Sequence, residues 1–509
     1  MIYRPLMEGR TLGNVAPVRG RGDDRGPDED LPATAATATA ARPREDEGTG
    51  AAGTRGPSDP FGGPVSRTGR FRAAVVTSLI SKLGSVAYMV VAVPVMVAAF
   101  GSSGYSQFAV VMASFGWVAT ISVGLGPTVT ERIASRGDRA SGDDVRELFT
   151  TALVGSAFLV AFVALVVTPL IALTAPQPEL QLAYVLACAA TGLIVGGTIF
   201  DSALLGLQRS YVTNILSFCT SIGALAMTIV AARLAPTVAA MVLAALLPMV
   251  VARATSGVLL HRTAPALFGG PDCVNAALAS TIVRRGLVFA VIGLASYVEQ
   301  QGSFLWVASS LGVGHVAGAA LVIRSLPLLY SMVAMVTVPL WPALADAARE
   351  GDVDWMRAAS VRAGAFVMIF AVASGLAVAL VGGSVVRLWT GGMVPVSTPI
   401  LFAAALLIVV DCWVSFHCTV LISLGHAGTA APVLLAQACL GLVATAVLVG
   451  PMGEAAALAG PVVGGLLIAV PIMPIATLAR YRSFASAARA SAARSALAQA
   501  APPASGRST

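Results

Sequence analysis

Twelve stretches of this sequence are so long and so apolar that only one kind of secondary structure is open to them. They run at about 78–100, 106–126, 150–172, 182–204, 212–232, 236–260, 286–309, 316–341, 361–382, 398–423, 429–450 and 456–478. Each can cross a hydrocarbon core of roughly 30 Å as a helix. No water is available there to satisfy backbone N–H and C=O groups, so a helix is the state such a run adopts. Composition agrees: 57% of the 509 residues are hydrophobic and 11% charged, against roughly 25% charged in a soluble domain. The chain reads as an all-α, multi-pass membrane protein.

Its charges then set an orientation. The net charge of +7 comes almost wholly from arginine, Lys82 being the only lysine. The connections after spans two, four, six and eight, with the end of the chain, hold Arg132, Arg136, Arg139, Arg146, Arg209, Arg262, Arg284, Arg285, Arg349, Arg357, Arg362, Arg480 and Arg482. The opposite connections hold only Arg233 and Arg387. Basic residues concentrate on the cytoplasmic side of membrane proteins, so both termini are expected there. Arginines scattered over span ends form no single basic face, which argues against nucleic-acid binding. The six cysteines lie mostly inside apolar runs with no CxxC pair, and neither a disulfide framework nor a metal site is indicated.

Residues 1–72 contain too few large apolar groups to build a core and are expected to form a disordered cytoplasmic tail. The expected organisation continues with a six-helix bundle at 73–262, a cytoplasmic linker at 263–285, a second six-helix bundle at 286–480 and a disordered tail at 481–509. An internal repeat supports the two bundles. "FGSSGYSQFAVVMAS" from Phe100 matches "LGVGHVAGAALVIRS" from Leu311 without gaps, sharing a turn glycine (Gly101, Gly312), Ala109 with Ala320, and Ser114 with Ser325. "PTVTERIASRGD" from Pro127 and "PALADAAREGD" from Pro342 extend the match. With six spans per half, both halves enter the membrane in the same direction, and two pseudo-symmetric bundles around a central cavity follow.

Catalytic machinery is absent from the pattern. The lone lysine stands in "LISKLGS" and not in a Walker A loop, and no external connection is long enough to present a folded set of acids or histidines. The expectation is therefore a protein that is not an enzyme and has no resident cofactor. Its chemistry rests on charges within the spans, which are costly there and point toward function: Lys82, Asp201, Glu299, Arg324 and Asp411. Lys82 and Asp201 stand near cytoplasmic span ends. Glu299 sits in "SYVEQQGSF" beside Gln300 and Gln301, thirteen residues before Gly312, and Arg324 lies twelve residues after it. At 1.5 Å per residue both are about 18 Å from the turn, so an ion pair or a shared polar site is geometrically open to them. Asp411 lies mid-span, and His417, six residues on, falls on another helix face, so the two do not make a two-ligand metal motif.

"AFGSSGYSQFAVVMASFGWVATISVGLGPTVTERIASRGD" (99–138), "SLGVGHVAGAALVIRSLPLLYSMVAMVTVPLWPALADAAREGD" (310–352) and "ALLGLQRSYVTNIL" (203–216) resemble the polysaccharide flippases, the O-antigen and exopolysaccharide exporters of the multidrug/oligosaccharidyl-lipid/polysaccharide (MOP) superfamily. The resemblance covers about residues 75–480. It implies a MATE-like fold in a bacterial cytoplasmic membrane and alternating-access transport of a polyprenyl-diphosphate-linked oligosaccharide from the cytoplasmic to the outer leaflet. An H+ or Na+ gradient would drive it, and polysaccharide polymerase and glycosyltransferases would be its neighbours. Under this reading Arg324, Lys82, Gln300 and Gln301 line the substrate cavity, and Glu299, Asp411 and Asp201 are candidates for ion coupling. A cation-coupled drug or metabolite antiporter of the same superfamily and a non-transporting scaffold are the alternatives.

Overall fold

The computed structural model describes residues 67–121, 126, 129–130, 133, 143–174 and 178–500. All regular structure among them is helical. Ten continuous helical stretches are long and apolar enough to cross a membrane. Two of these contain a break, at Phe100–Gly101 and at Gly453, which makes twelve spans: α1 (67–99), α2 (102–121), α3 (143–174), α4 (Gln181–Gly206), α5 (Ser210–Leu234), α6 (Val238–Thr263), α7 (Ala276–Leu311), α8 (Ala317–Glu350), α9 (Val353–Trp389), α10 (Thr398–Ser423), α11 (Ala427–Met452) and α12 (456–500).

The repeat is visible in the backbone. Gly101 and Gly312, paired by the sequence match, both turn the chain with positive φ, +74° and +96°, a conformation that costs any residue with a Cβ. In the first bundle α1 packs on α5 and α4 on α6. In the second, α7 packs on α11 and α8 on α10. Three helices, α3, α7 and α12, each contain a five-residue π-helical stretch, at Val163–Val167, Val298–Gly302 and Gly465–Ala469.

Two helix ends differ from the sequence expectation. The 263–285 segment is only partly linker: short 3₁₀ turns at Pro265–Leu267 and Pro271–Cys273 are followed by α7, which starts at Ala276. Asn275 starts it by accepting a hydrogen bond from the Leu278 N–H, satisfying a donor that the first helical turn leaves free. At the other end α12 continues to Ala500, through "SFASAARASAARSALAQA", whose alanines and arginines are strong helix formers. The expected tail at 1–72 lies outside the described residues up to residue 66, and α1 already begins at Arg67. Residues 501–509, the end of span two and most of the "PTVTERIASRGD" segment also lie outside the described residues.

On the side of the Gly101 and Gly312 turns the bundles are sealed together. One buried apolar cluster crosses from Met96, Phe108 and Met241 to Phe304, Val307 and Leu321. The Ser106 hydroxyl donates to the Val313 carbonyl at 2.6 Å and accepts from the Val316 N–H at 3.2 Å. Trp389 Nε1 donates to the Val90 carbonyl at 2.7 Å. On the opposite side the buried clusters, among the described residues, each stay within one bundle. Among the described residues, the buried apolar contact between the bundles is thus concentrated at the turns.

Candidate functional site

Two cavities meet at α7. The first lies within the second bundle, between α7, α8, α10 and α11, and has a volume of about 320 Å³. Glu299 and Gln300 of α7, Tyr330 of α8, Asp411 of α10 and Gln437 of α11 line it. Glu299 is 6% exposed and Gln437 fully buried. Gln437 Nε2 donates to Glu299 Oε1, and the Tyr330 hydroxyl donates to Asp411 Oδ2 at 2.7 Å. Both carboxylates line this one cavity. Two acids in one apolar-walled space repel each other unless a proton or a cation joins them, so the cavity is suited to taking up one or the other.

The second cavity, of about 480 Å³, lies between the bundles and is lined by α2, α7 and α8. Gln300, Gln301, Tyr297, Phe304 and Arg324 face it. Arg324 is the sole charged residue in its described lining. Its guanidinium lies 5.2 Å from the centre of the Phe108 ring, a cation–π contact that steadies the group, and no carboxylate among the described residues lines the cavity beside it. The Tyr297 hydroxyl donates to the Ala113 carbonyl at 2.5 Å, tying α7 to α2 across the bundle boundary.

Glu299 and Arg324 therefore do not form the pair that equal depth made possible. Depth along a helix says nothing about direction around it: Glu299 points into its own bundle and Arg324 across to the other. Gln300 and Ser296 line both cavities and form the wall between them. Gln301 faces the interbundle cavity alone. Lys82 is exposed on α1 and lines neither. Asp201 belongs to neither cavity; it forms an ion pair with Arg253 of α6. His417 is buried, with its ring against Trp413 and Phe416 and its Nδ1 3.1 Å from the Thr477 hydroxyl.

Three residues of these sites escaped the sequence reading. Arg253 is a charge inside span six and falls under the same reasoning that singled out Asp201. Gln437, an amide in "LLAQACL", is a mid-span polar group of the kind already noted at Gln300. Tyr330 carried no signal, because aromatic residues are common in such helices.

This architecture is that of the MATE-type transporters of the MOP superfamily. A multidrug resistance MATE family transporter in its inward-facing conformation superposes with a TM-score of 0.68 at 15% identity, covering 81% of this chain and 98% of that one. An outward-facing structure of a multidrug resistance MATE family transporter gives 0.59 at 15% identity, covering 82% of this chain and 96% of that one. A MOP superfamily transporter from Pyrococcus furiosus, described as having a binding pocket of reverse polarity, gives 0.61 at 15% identity, covering 82% and 96%. Compared by sequence, the chain matches no family model and no curated protein. The likeness is one of fold.

Proposed function

We propose that this protein is an ion-coupled flippase. It carries a polyprenyl-diphosphate-linked oligosaccharide from the cytoplasmic to the outer leaflet of a bacterial cytoplasmic membrane, with the turn side facing outward and both termini in the cytoplasm. The observation that carries the reading is the Arg324 guanidinium in the interbundle cavity, kept apart from the acids. A guanidinium offers a planar fork of donors matched to phosphate oxygens. Within the protein its charge is screened less than in bulk water, so a diphosphate is attracted to it. Gln300 and Gln301 supply neutral hydrogen-bonding groups beside it.

Coupling follows from the shared wall. A proton or Na+ joining Glu299 and Asp411 changes the charge on one face of α7, and the diphosphate engages the other face through Arg324 and Gln300. Whichever ligand arrives first biases the position of one helix, so each alters the affinity for the other by the same factor. The lipid tail stays in the bilayer beside the cleft, and the polymerase and glycosyltransferases handle the cargo before and after it.

A cation-coupled drug or metabolite antiporter is the second reading, favoured by the multidrug transporters among the structural neighbours. The two part at Arg324. Transport of a lipid diphosphate in proteoliposomes should fall at least tenfold in Arg324→Ala and survive in part in Arg324→Lys, while Glu299→Gln should bind cargo but ignore the ion gradient. Undiminished transport by Arg324→Ala would refute the flippase. Efflux of organic cations that needs Glu299 and not Arg324 would establish the antiporter.

A further inference from the structure

The first bundle contains a third cavity, of about 260 Å³, between α1, α5 and α6. Six hydroxyl-bearing residues line it, Ser85, Tyr88, Thr213, Ser217, Thr220 and Ser221, with Arg253 at its wall. We infer that this cavity is a binding site for a neutral, hydroxyl-rich group, a glycosyl unit of the cargo; the inference rests on the flippase reading and locates the sugar end of the substrate within it.

Charge decides the class of ligand. Arg253 is already paired with Asp201, so the site carries no free positive charge for an anion and no free carboxylate for a cation. The repeat sharpens the contrast. At the offset that joins Gly101 to Gly312, Glu299 corresponds to Tyr88, so the position that holds a coupling acid in the second bundle holds a neutral phenol in the first. Asp201 anchors Arg253 through their ion pair.

Hydrogen-bond polarity decides further. Thr213 and Thr220 donate to carbonyls of their own helix, at Ser210 and Leu216, over 2.9 and 2.8 Å; Ser85 and Ser221 reach the carbonyls of Ser81 and Ser217, both at 3.1 Å, and each other at 3.4 Å. With their protons so engaged, Thr213 and Thr220 keep lone pairs that accept from a ligand rich in donors. The Tyr88 hydroxyl and Arg253 Nε are buried without a hydrogen-bond partner, as is Asp201 Oδ1, and buried polar groups in this state are costly until something satisfies them. A phosphate would set its acceptor oxygens against these lone pairs. An ammonium ion would meet the guanidinium. A sugar ring both donates and accepts, and the volume, below the roughly 300–1,000 Å³ of drug-sized sites, suits a single ring.

The test uses the full chain in lipid nanodiscs with two probes: neutral methyl hexosides, read by saturation-transfer NMR, and inorganic pyrophosphate, read by calorimetry. Thr220→Val with Ser217→Ala removes two hydroxyls and leaves Arg253–Asp201 in place. This pair of changes should weaken hexoside binding about tenfold, two ordinary hydrogen bonds' worth, with pyrophosphate binding unchanged. Arg324→Ala should do the reverse. The free hexoside should bind without crossing the membrane, because the diphosphate end is what commits the cargo. No hexoside signal from the wild-type protein, equal signals in the hydroxyl variant, or hexoside flux across vesicles would each overturn the assignment. Loss of the pyrophosphate response to Arg324 alone would instead remove the flippase reading while leaving a sugar site standing.

Discussion

Gly464→Ala puts a single methyl group where the structure has no room for one. A Cβ at this position would lie 2.8 Å from the Gly441 N and 3.0 Å from its Cα, with the Gln437 carbonyl closer still. Ordinary contact begins at 3.4 Å, and all three neighbours are backbone of α11, which cannot swing aside as a side chain would. The seam between α11 and α12 must open by about 1 Å at the Gln437 carbonyl, and a gap of that size forfeits up to roughly half of the dispersion energy across it. Overpacking of this kind costs about 1–3 kcal/mol. For a chain this long that is on the order of a few degrees in Tm. The assay is the loss of the monodisperse peak on heating in detergent, with Gly155→Ala as the internal control, since a Cβ at Gly155 meets nothing within 4 Å. Gly464→Ala should melt below the wild type and Gly155→Ala at or above it. Because the Gln437 backbone is one of the displaced groups and its amide holds Glu299, Gly464→Ala should also weaken ion coupling. Equal melting of the two variants would refute the packing argument.

Gln437→Leu strands the buried Glu299 carboxylate and should cost about 1–3 kcal/mol of stability. Adding Glu299→Leu should restore most of it without restoring coupled transport, because an apolar pair leaves nothing unsatisfied. Ser106→Ala removes two hydrogen bonds across the seal and Trp389→Phe one, at about 1 kcal/mol or roughly fivefold in the closed-to-open ratio per bond; spin labels at Ala235 and Met393 should report longer distances, and unchanged distances would count against the seal. Cysteines at Ala235 and Met393 should react with an impermeant reagent added outside intact cells and a cysteine at Asp354 should not; the reverse pattern would invert the proposed orientation.

The helices were legible because their constraint is severe: a run such as Thr398–Ser423 has only one way to satisfy its backbone in lipid, and its bounds agree with the sequence reading. The paired turns were legible because glycine at positive φ leaves a mark in the sequence at Gly101 and Gly312. Hydropathy failed where helices leave the membrane. The start of α7 depends on the Asn275 cap, and the extension of α12 on intrinsic propensity, neither of which an apolar window detects. At the site, Glu299, Arg324 and Asp411 announced themselves as charges in apolar surroundings, but their grouping did not. Which of them share a cavity depends on rotation about each helix axis, and the π-helical stretch at Val298–Gly302 offsets that rotation in the stretch that holds Glu299.

That stretch also bears on chain length. A π-helical turn closes its hydrogen bonds one residue later than an α-helical turn, so α7 holds one residue more than a plain helix of the same height. Removing a residue from 298–302 would return the helix to an unbroken α register with its two flanks in place and take away the local widening that holds Glu299. Substitution alone cannot create or abolish this arrangement. A homologue lacking the acid is expected to be shorter by one residue between Gly286 and Gly312, so the number of residues separating those two glycines tells the two designs apart.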